Sequence, residues 1–304
     1  MSSPKAPPTI IIGIPAFNVE RTIARVASEV SKYCDLVLIC DDGSTDKTAL
    51  AAERAGCEVV KHSRNMGYGA TIKTLLETAR GKKADILVTI DGDGQHDPKE
   101  ISELVKPIVE GNADLVIGSR FIGNGEESNS TPRMRKLGIR TITRLTDGLS
   151  RQKITDAQSG FRAYSRKAIT LVNPGEQGMG ASTEILLIAE EQGLRIREVP
   201  ISVAYNIGKT STLNPAFHFA DVFGSTLKVV SIRHPLLAYG LPGIILLLSS
   251  LGFGVWAIQL YGSEGRLVTN IALISMGFAV IGTTLLITGL LLFVLITVIR
   301  EKQF

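Results

Sequence analysis

The chain has 304 residues, 44% of them hydrophobic and 20% charged, with 33 basic side chains against 29 acidic ones and a net charge of +4. The basic excess is scattered and no dense basic block interleaved with aromatics occurs, which excludes nucleic acid as the natural partner. Cys34, Cys40 and Cys57 are odd in number and lack C-x-x-C spacing, which argues against a disulfide framework or a zinc site and for buried thiols in a reducing compartment.

Residues 1–8 are polar and proline-rich, without the apolar core of a signal peptide, and read as a disordered lead-in. After them, apolar β-rich runs at 9–14, 35–40, 58–60, 84–90 and 113–118 alternate with segments of helical periodicity such as 19–33 and 69–80. That alternation predicts an α/β fold with a mostly parallel sheet covered on both faces. Ligands of such folds bind outside the carboxyl ends of the strands. Four polar or turn-forming clusters fall there: 15–20, 41–46, 91–95 and Ser119-Arg120. The densest is Ile90-Asp91-Gly92-Asp93-Gly94-Gln95-His96-Asp97-Pro98. Its alternating carboxylates on a glycine-rich turn can converge on one hard cation and, with it, on a diphosphate. Asp97-Pro98 reads as a helix start, and Thr45 and Asp46 as caps of the helix that follows them. Other nucleotide motifs fail. Gly208-Lys209-Thr210 has Val203 where a P-loop needs glycine, Gly67-Tyr68-Gly69 lacks a third glycine, and none of the four histidines sits in H-E-x-x-H.

The composition shifts near His234. No charged side chain occurs between His234 and Glu264, or between Arg266 and Arg300, so each run exceeds the roughly 20 apolar residues that span a bilayer. We expect two transmembrane helices, at 236–261 and 270–299, forming a hairpin. Lys228, Arg233, Arg300 and Lys302 flank one side against the single Arg266 on the other. The positive-inside rule then predicts a cytoplasmic soluble part and cytoplasmic termini at the cell membrane or the endoplasmic reticulum. Residues 213–234 suit interfacial helices or an ordinary amphipathic helix.

The ordered set Ile14-Pro15-Ala16-Phe17-Asn18, Asp41-Asp42-Gly43-Ser44-Thr45-Asp46, Asp91-Gly92-Asp93-Gly94-Gln95, Gly118-Ser119-Arg120 and Ser159-Gly160-Phe161-Arg162 resembles the family 2 glycosyltransferases of the GT-A fold. Within them it is similar to the dolichyl-phosphate mannose and glucose synthases, over residues 10–211. The resemblance implies a GT-A catalytic domain at 9–212, with a Rossmann-like, mostly parallel sheet. Interfacial helices at 213–234 and a two-helix transmembrane hairpin at 235–304 would follow. It implies a nucleotide held by Pro15, Phe17, Asp42, Asp91 and Gly92, the first three at the nucleoside, and Mg²⁺ or Mn²⁺ on Asp91, Asp93 and Gln95. The acceptor phosphate falls to Arg120, Arg133, Arg135, Ser159, Arg162 and Lys209, and the catalytic set is Asp91, Asp93 and Arg120. Arg133 and Arg135 read equally as a solvated face of 131–150. Where the family commonly has Tyr-Asn-Glu, this chain has Phe17-Asn18-Val19, with Glu20 one place later.

The implied reaction is metal-dependent, inverting transfer of a hexose from GDP-mannose, UDP-glucose or UDP-N-acetylglucosamine to dolichyl or polyprenyl phosphate, for glycan or glycoprotein assembly. A phosphate monoester with a second pKa of about 6 is already a competent nucleophile, so no strong base is required. Two other readings stand beside it. A processive polysaccharide synthase would show Q-x-x-R-W in its soluble part, whereas the sole tryptophan, Trp256, lies in the first apolar run. A non-catalytic, membrane-anchored binding protein would have no need of Asp91, Asp93 and Gln95 together. The sequence names neither the sugar nor the lipid length, and it leaves a homo-oligomer open.

Overall fold

Strands rich in Ile, Val and Leu organise the computed structural model, which describes residues 7–122, 154–204, 224, 231, 234–265 and 268–301. The chain divides into two units, Met1–Thr226 and Leu227–Phe304. The first is built on β1 (Ile10–Ala16), β2 (Leu36–Asp41), β3 (Glu58–Lys61), β4 (Ile86–Thr89), β5 (Leu115–Ser119), β6 (Arg162–Ser165) and β7 (Ile196–Pro200). They form one seven-stranded sheet in the order β3-β2-β1-β4-β6-β5-β7. Only β6 runs against its neighbours, pairing antiparallel with β4 and β5. The five expected strands are present; β6 and β7 are additions. Their sequences explain why they do not announce themselves. β6 reads Arg-Ala-Tyr-Ser, four residues with a cation at one end, and β7 reads Ile-Arg-Glu-Val-Pro, a half-buried edge strand ending in proline.

Period-2 alternation divides the strand side chains between two cores. Ile11, Leu38, Leu87, Leu115, Ile117 and Tyr164 face one side. There they meet α3 (Tyr68–Gly81), α5 (Arg166–Leu171) and α6 (Ala181–Glu191). Ile12, Ile14, Ile39, Val88 and Val116 face the other side, against α1 (Ile23–Val30), α2 (Thr48–Arg54) and α4 (Ile101–Val109). The helix faces follow from spacing. In α1 the buried residues are Ile23, Val26, Ala27 and Val30, an i, i+3, i+4, i+7 stripe. Each fully buried Leu, Ile or Val in these cores contributes about 1.5–3 kcal/mol.

The strand order positions the ligand edge. From β1 the chain moves outward to β2 and β3, then returns to place β4 on β1's other side. The crevice outside the carboxyl ends of β1 and β4 is therefore the topological switch point, where α/β sheets bind ligands.

At the opposite edge, Asp114 receives Arg195 Nε and Nη2 at 3.0 Å each and the Arg195 backbone N–H at 2.9 Å, clamping the starts of β5 and β7. The Arg195 bonds hold the Asp114 carboxyl below the usual carboxylate range of about 3.8. A depressed folded-state pKa contributes stability that is present above the unfolded value and lost as pH falls through the folded one. Asp114→Asn is therefore expected to lower the thermal midpoint at neutral pH. In melts run from neutral to acid pH, its gap from the unsubstituted protein should close as the medium falls below about 3.8.

In the second unit a π-helical turn, Leu236–Gly240, leads into α7 (Leu241–Glu264), and α8 (Thr269–Glu301) returns beside it. Two stretches, Leu236–Ser263 and Thr269–Val298, are long and apolar enough to cross a membrane. Leu248, Leu251, Ile258, Leu273, Met276 and Leu291 are 61–72% exposed, a surface suited to hydrocarbon rather than water. The two helices meet through small residues. A Cβ on Gly243 would stand 2.8 Å from the Gly282 carbonyl, and one on Gly282 would stand 2.9 Å from that of Gly243. Ser250 Oγ donates to the Ser275 carbonyl at 2.8 Å and Ser275 Oγ returns the bond to Ser250 at 2.8 Å. Close backbone approach plus reciprocal hydroxyl bonds is how helices associate where no hydrophobic force acts between them. The span 213–234 lies outside the described residues except for Gly224, Ser231 and His234.

Candidate active site

The residues after β1 and β2 are laced together by side-chain to backbone bonds. Asn18 N–H donates to Ser44 Oγ at 2.9 Å and Thr45 N–H returns to Asn18 Oδ1 at 2.9 Å. Val19 N–H donates to Thr48 Oγ1, and Lys47 N–H donates to Glu20 Oε2 at 3.0 Å. Just before α2, Asp46 accepts from Thr48 N–H and Oγ1, and also accepts from Glu20 N–H. Glu20 and Asp46 thus hold two loops together; the N-cap of α2 is Lys47, without a side-chain cap bond, and Thr45 bonds Asn18, which corrects the expectation that Thr45 and Asp46 cap the helix. The loops present Phe17, 46% exposed, beside half-buried Pro15.

Asp42 is 4% exposed and its carboxylate is engaged by the protein. Oδ1 accepts from Met66 N–H at 2.9 Å and meets His62 Nδ1 at 2.7 Å, while Oδ2 accepts from Gly67 N–H at 2.8 Å. His62 Nε2 lies 2.9 Å from Thr74 Oγ1 and 3.5 Å from Cys40 Sγ. Burial pushes the Cys40 thiol up to about 12, so it is a neutral neighbour. Asp42 therefore organises the loop between β3 and α3. His62 at the end of β3 was missed in the sequence, although its place at a strand's carboxyl end was a usable signal.

The acidic turn lies at the switch point. Gly92 is buried against Ile14, and its carbonyl accepts from Thr22 Oγ1 at 2.6 Å, tying the turn to β1 and α1. Asp93 Oδ1 accepts from Gln95 N–H at 3.0 Å, which fixes the turn's curl. Asp91 has a side chain 37% exposed, with His96 Nε2 3.7 Å from Oδ2. The His96 ring lies 5.0 Å from that of Phe161, tilted by 46°, and its Nδ1 is buried with no partner among the described residues. Asp97 accepts from Lys99 N–H and caps the short helical turn Pro98–Glu100, as expected.

Behind Asp91 stands Gly160. A Cβ there would lie 2.9 Å from Asp91 Oδ1 and 2.9 Å from Tyr68 Oη. Burial, and next the Asp91 charge, push the Tyr68 phenol well above its usual range, so it stays a hydroxyl. Thr89 Oγ1 donates to the Gly160 carbonyl at 2.7 Å, and Gly118 N–H donates to that of Phe161 at 2.8 Å. The 156–161 segment therefore bridges the ends of β4 and β5. Arg120, just past β5, is bound by Nε at 2.6 Å and Nη2 at 2.7 Å to Asp156, only four residues before Gly160. That separation sets Asp91 and Arg120 on one edge.

Two expectations are corrected. Ser159 and Arg162, read as lining the acceptor side, are both 2% exposed. Arg162 Nε, Nη1 and Nη2 donate to the carbonyls of Ser159 (2.8 Å), Ser182 (3.0 Å) and Ala157 (2.8 Å). A guanidinium so occupied and so deep holds the floor of the edge and does not reach a ligand. Arg133, Arg135 and Lys209 lie outside the described residues.

Among the described residues no group of three His, Cys, Asp or Glu side chains gathers for a metal. What Asp91, Asp93 and Gln95 offer is an oxygen set of two carboxylates and an amide. Such a set fits a hard divalent ion only when ligand oxygens or water complete the shell.

Residues 11–171 match the model of glycosyl transferase family 2. The UDP-N-acetylglucosamine–dolichyl-phosphate N-acetylglucosaminyltransferase of Methanococcus voltae is 33% identical over 216 residues, covering 64% of this chain and 86% of that protein. The glycosyltransferase AglJ of Haloferax volcanii is 28% identical over 302 residues, 98% of this chain and 97% of that one. Among solved structures, glucosyl-3-phosphoglycerate synthase from Mycobacterium tuberculosis, in complex with Mn²⁺, UDP and glucosyl-3-phosphoglycerate, aligns with a TM-score of 0.54 at 25% identity, covering 73% of this chain and 80% of that one. With its mostly parallel mixed sheet of GT-A type, the chain belongs to glycosyl transferase family 2 and is a glycosyltransferase.

Proposed function

We propose that this glycosyltransferase moves a hexose from a nucleoside diphosphate sugar to the phosphate of a dolichyl or other polyprenyl lipid, with α7 and α8 anchoring it in the membrane. The observation that carries the reading is one chain with both an Asp91–Asp93 turn at the switch point and two bilayer-length apolar helices. The name of the Methanococcus voltae relative supports both donor and acceptor class, and favours UDP-N-acetylglucosamine as the donor to try first. The basic flanks of the helices favour a cytoplasmic active site.

The residues have separable tasks. Phe17 and Pro15 would meet the base, with Asp42 shaping the wall beside it through its bonds to Met66 and Gly67. Asp91, Asp93 and Gln95 would hold Mg²⁺ or Mn²⁺, whose charge offsets that of the departing diphosphate. Arg120 would bind the acceptor phosphate, because a guanidinium fork matches phosphate oxygens. An ionised acceptor oxygen held in line behind the anomeric carbon needs no proton removed, so the reaction is a single displacement with inversion. Gly160 leaves Asp91 its place. Gly160→Ala is expected to lower turnover by about 10²-fold through displacement of that carboxylate, with nucleotide-independent melting little changed.

The test is incubation of the detergent-solubilised protein with dolichyl phosphate, Mg²⁺ or Mn²⁺ and a panel of GDP- and UDP-sugars, followed by mass spectrometry of the lipid. Glycosylated dolichyl phosphate from one donor, lost on adding EDTA, is the expected result. Transfer only to acceptors other than lipid phosphate would overturn the proposal.

A further inference from the structure

Residues on either side of 123–153 are fastened to one another. Ser119 Oγ and Thr155 Oγ1 lie 2.6 Å apart, and Phe121 N–H donates to Ser119 Oγ at 3.2 Å. Asp156 is 0% exposed, and the described bonds of its carboxylate all go to one residue. Oδ2 accepts Arg120 N–H at 3.2 Å and Nε at 2.6 Å, and Oδ1 accepts Nη2 at 2.7 Å. Asp156 is itself held from β7. Glu198 accepts Asp156 N–H at 2.9 Å and, with both oxygens, Thr155 N–H at 2.9 and 3.0 Å.

We propose that Asp156 is a positioning residue for acceptor binding: with Glu198 behind it, it fixes the plane of the Arg120 guanidinium at the ligand edge. The inference rests on the reading of Arg120 as the acceptor-phosphate residue. Two parallel charge-assisted bonds to a buried carboxylate fix both the position and the rotation of a guanidinium. A phosphate then meets the Nη1–Nη2 edge, sharing it with whatever that edge already binds, in a geometry set before the lipid arrives. A flexible arginine would have to be ordered by the lipid itself, at a cost in affinity. Carboxylates behind metal-binding histidines act in the same way, and their loss weakens binding about 10- to 100-fold.

The test compares full-length wild type, Arg120→Lys, Asp156→Asn and the double variant in detergent, measuring the affinity for dolichyl phosphate and, separately, for UDP with Mn²⁺. The expected result is a loss of dolichyl phosphate affinity of about tenfold or more in each single variant, no further loss in the double variant, and unchanged UDP affinity. Weakening by Arg120→Lys alone, with Asp156→Asn binding as wild type does, would overturn the positioning role while leaving Arg120 as the acceptor residue. Unchanged dolichyl phosphate affinity in Arg120→Lys would overturn that reading of Arg120, and the inference with it. If Asp156→Asn loses its cooperative melt, Glu198→Gln takes its place; it loosens the same carboxylate through the backbone. Selective loss of acceptor affinity there supports the proposal, and unchanged affinity overturns it.

Discussion

Asp91→Asn should reduce sugar transfer by about 10²- to 10³-fold without a matching loss of stability, the magnitude expected when one group facing the charge of a transition state is neutralised. The carboxylate is more than a third exposed and His96 Nε2 stands 3.7 Å from it, too far for a hydrogen bond, so the fold does not depend on its charge. An amide keeps the shape and loses the anion. The substitution should therefore raise the Mn²⁺ concentration needed for half-maximal turnover, and metal titrations of turnover, run beside thermal melts, measure both effects. Asp93→Asn tests the same site from the other side of the turn. Its carboxylate also curls that turn through Gln95 N–H, so a loss of affinity for Gln95's share of the metal is expected as well. An Asp91→Asn enzyme as active as wild type, with unchanged metal response, would sink the assignment.

Arg162→Met should damage the fold rather than the chemistry. It removes three donors from the carbonyls of Ala157, Ser159 and Ser182, which lie in a region where water does not substitute. At about 1–3 kcal/mol for each buried group left unpaired, the loss is roughly 3 kcal/mol or more, a large share of a typical domain's stability. For a unit of this size that lowers the thermal midpoint by about 6–12 °C. Arg162→Lys should recover only part of it, since an ammonium cannot span three carbonyls in one plane. A soluble Arg162→Met protein that melts normally but has lost only its acceptor affinity would return Arg162 to the ligand edge.

The contrast between Arg120 and Arg162 shows where the sequence is legible. Both stand beside small residues near a strand end, in Gly-Ser-Arg and Ser-Gly-Phe-Arg. Nothing in either string states that one guanidinium lies under the sheet edge and the other at it. The difference arises from β6, which runs antiparallel between β4 and β5 and turns Arg162 inward beneath 156–161. β6 itself is too short and too polar to show periodicity. By contrast β1, β2 and β4 lie in the apolar runs 9–14, 35–40 and 84–90, which lead into proline or carboxylates, and the sharing of one edge by their ends could be read directly. Asp42 stood out as a ligand group, but its bonds to His62, Met66 and Gly67 are long-range and invisible to motif spacing. Asp156 carried no motif, and its partner lies 36 positions earlier.

The proposed acceptor is a phosphate carried by a lipid, and the alternative with a structural precedent is a small soluble phosphate, as in the Mycobacterium tuberculosis neighbour. Release of nucleoside diphosphate from the active donor, measured with the protein in liposomes containing or lacking dolichyl phosphate and with phosphoglycerate added to the water phase, separates them. Release that requires dolichyl phosphate and matches glycolipid formed one for one is the predicted result; release driven by phosphoglycerate in liposomes without dolichyl phosphate would contradict it.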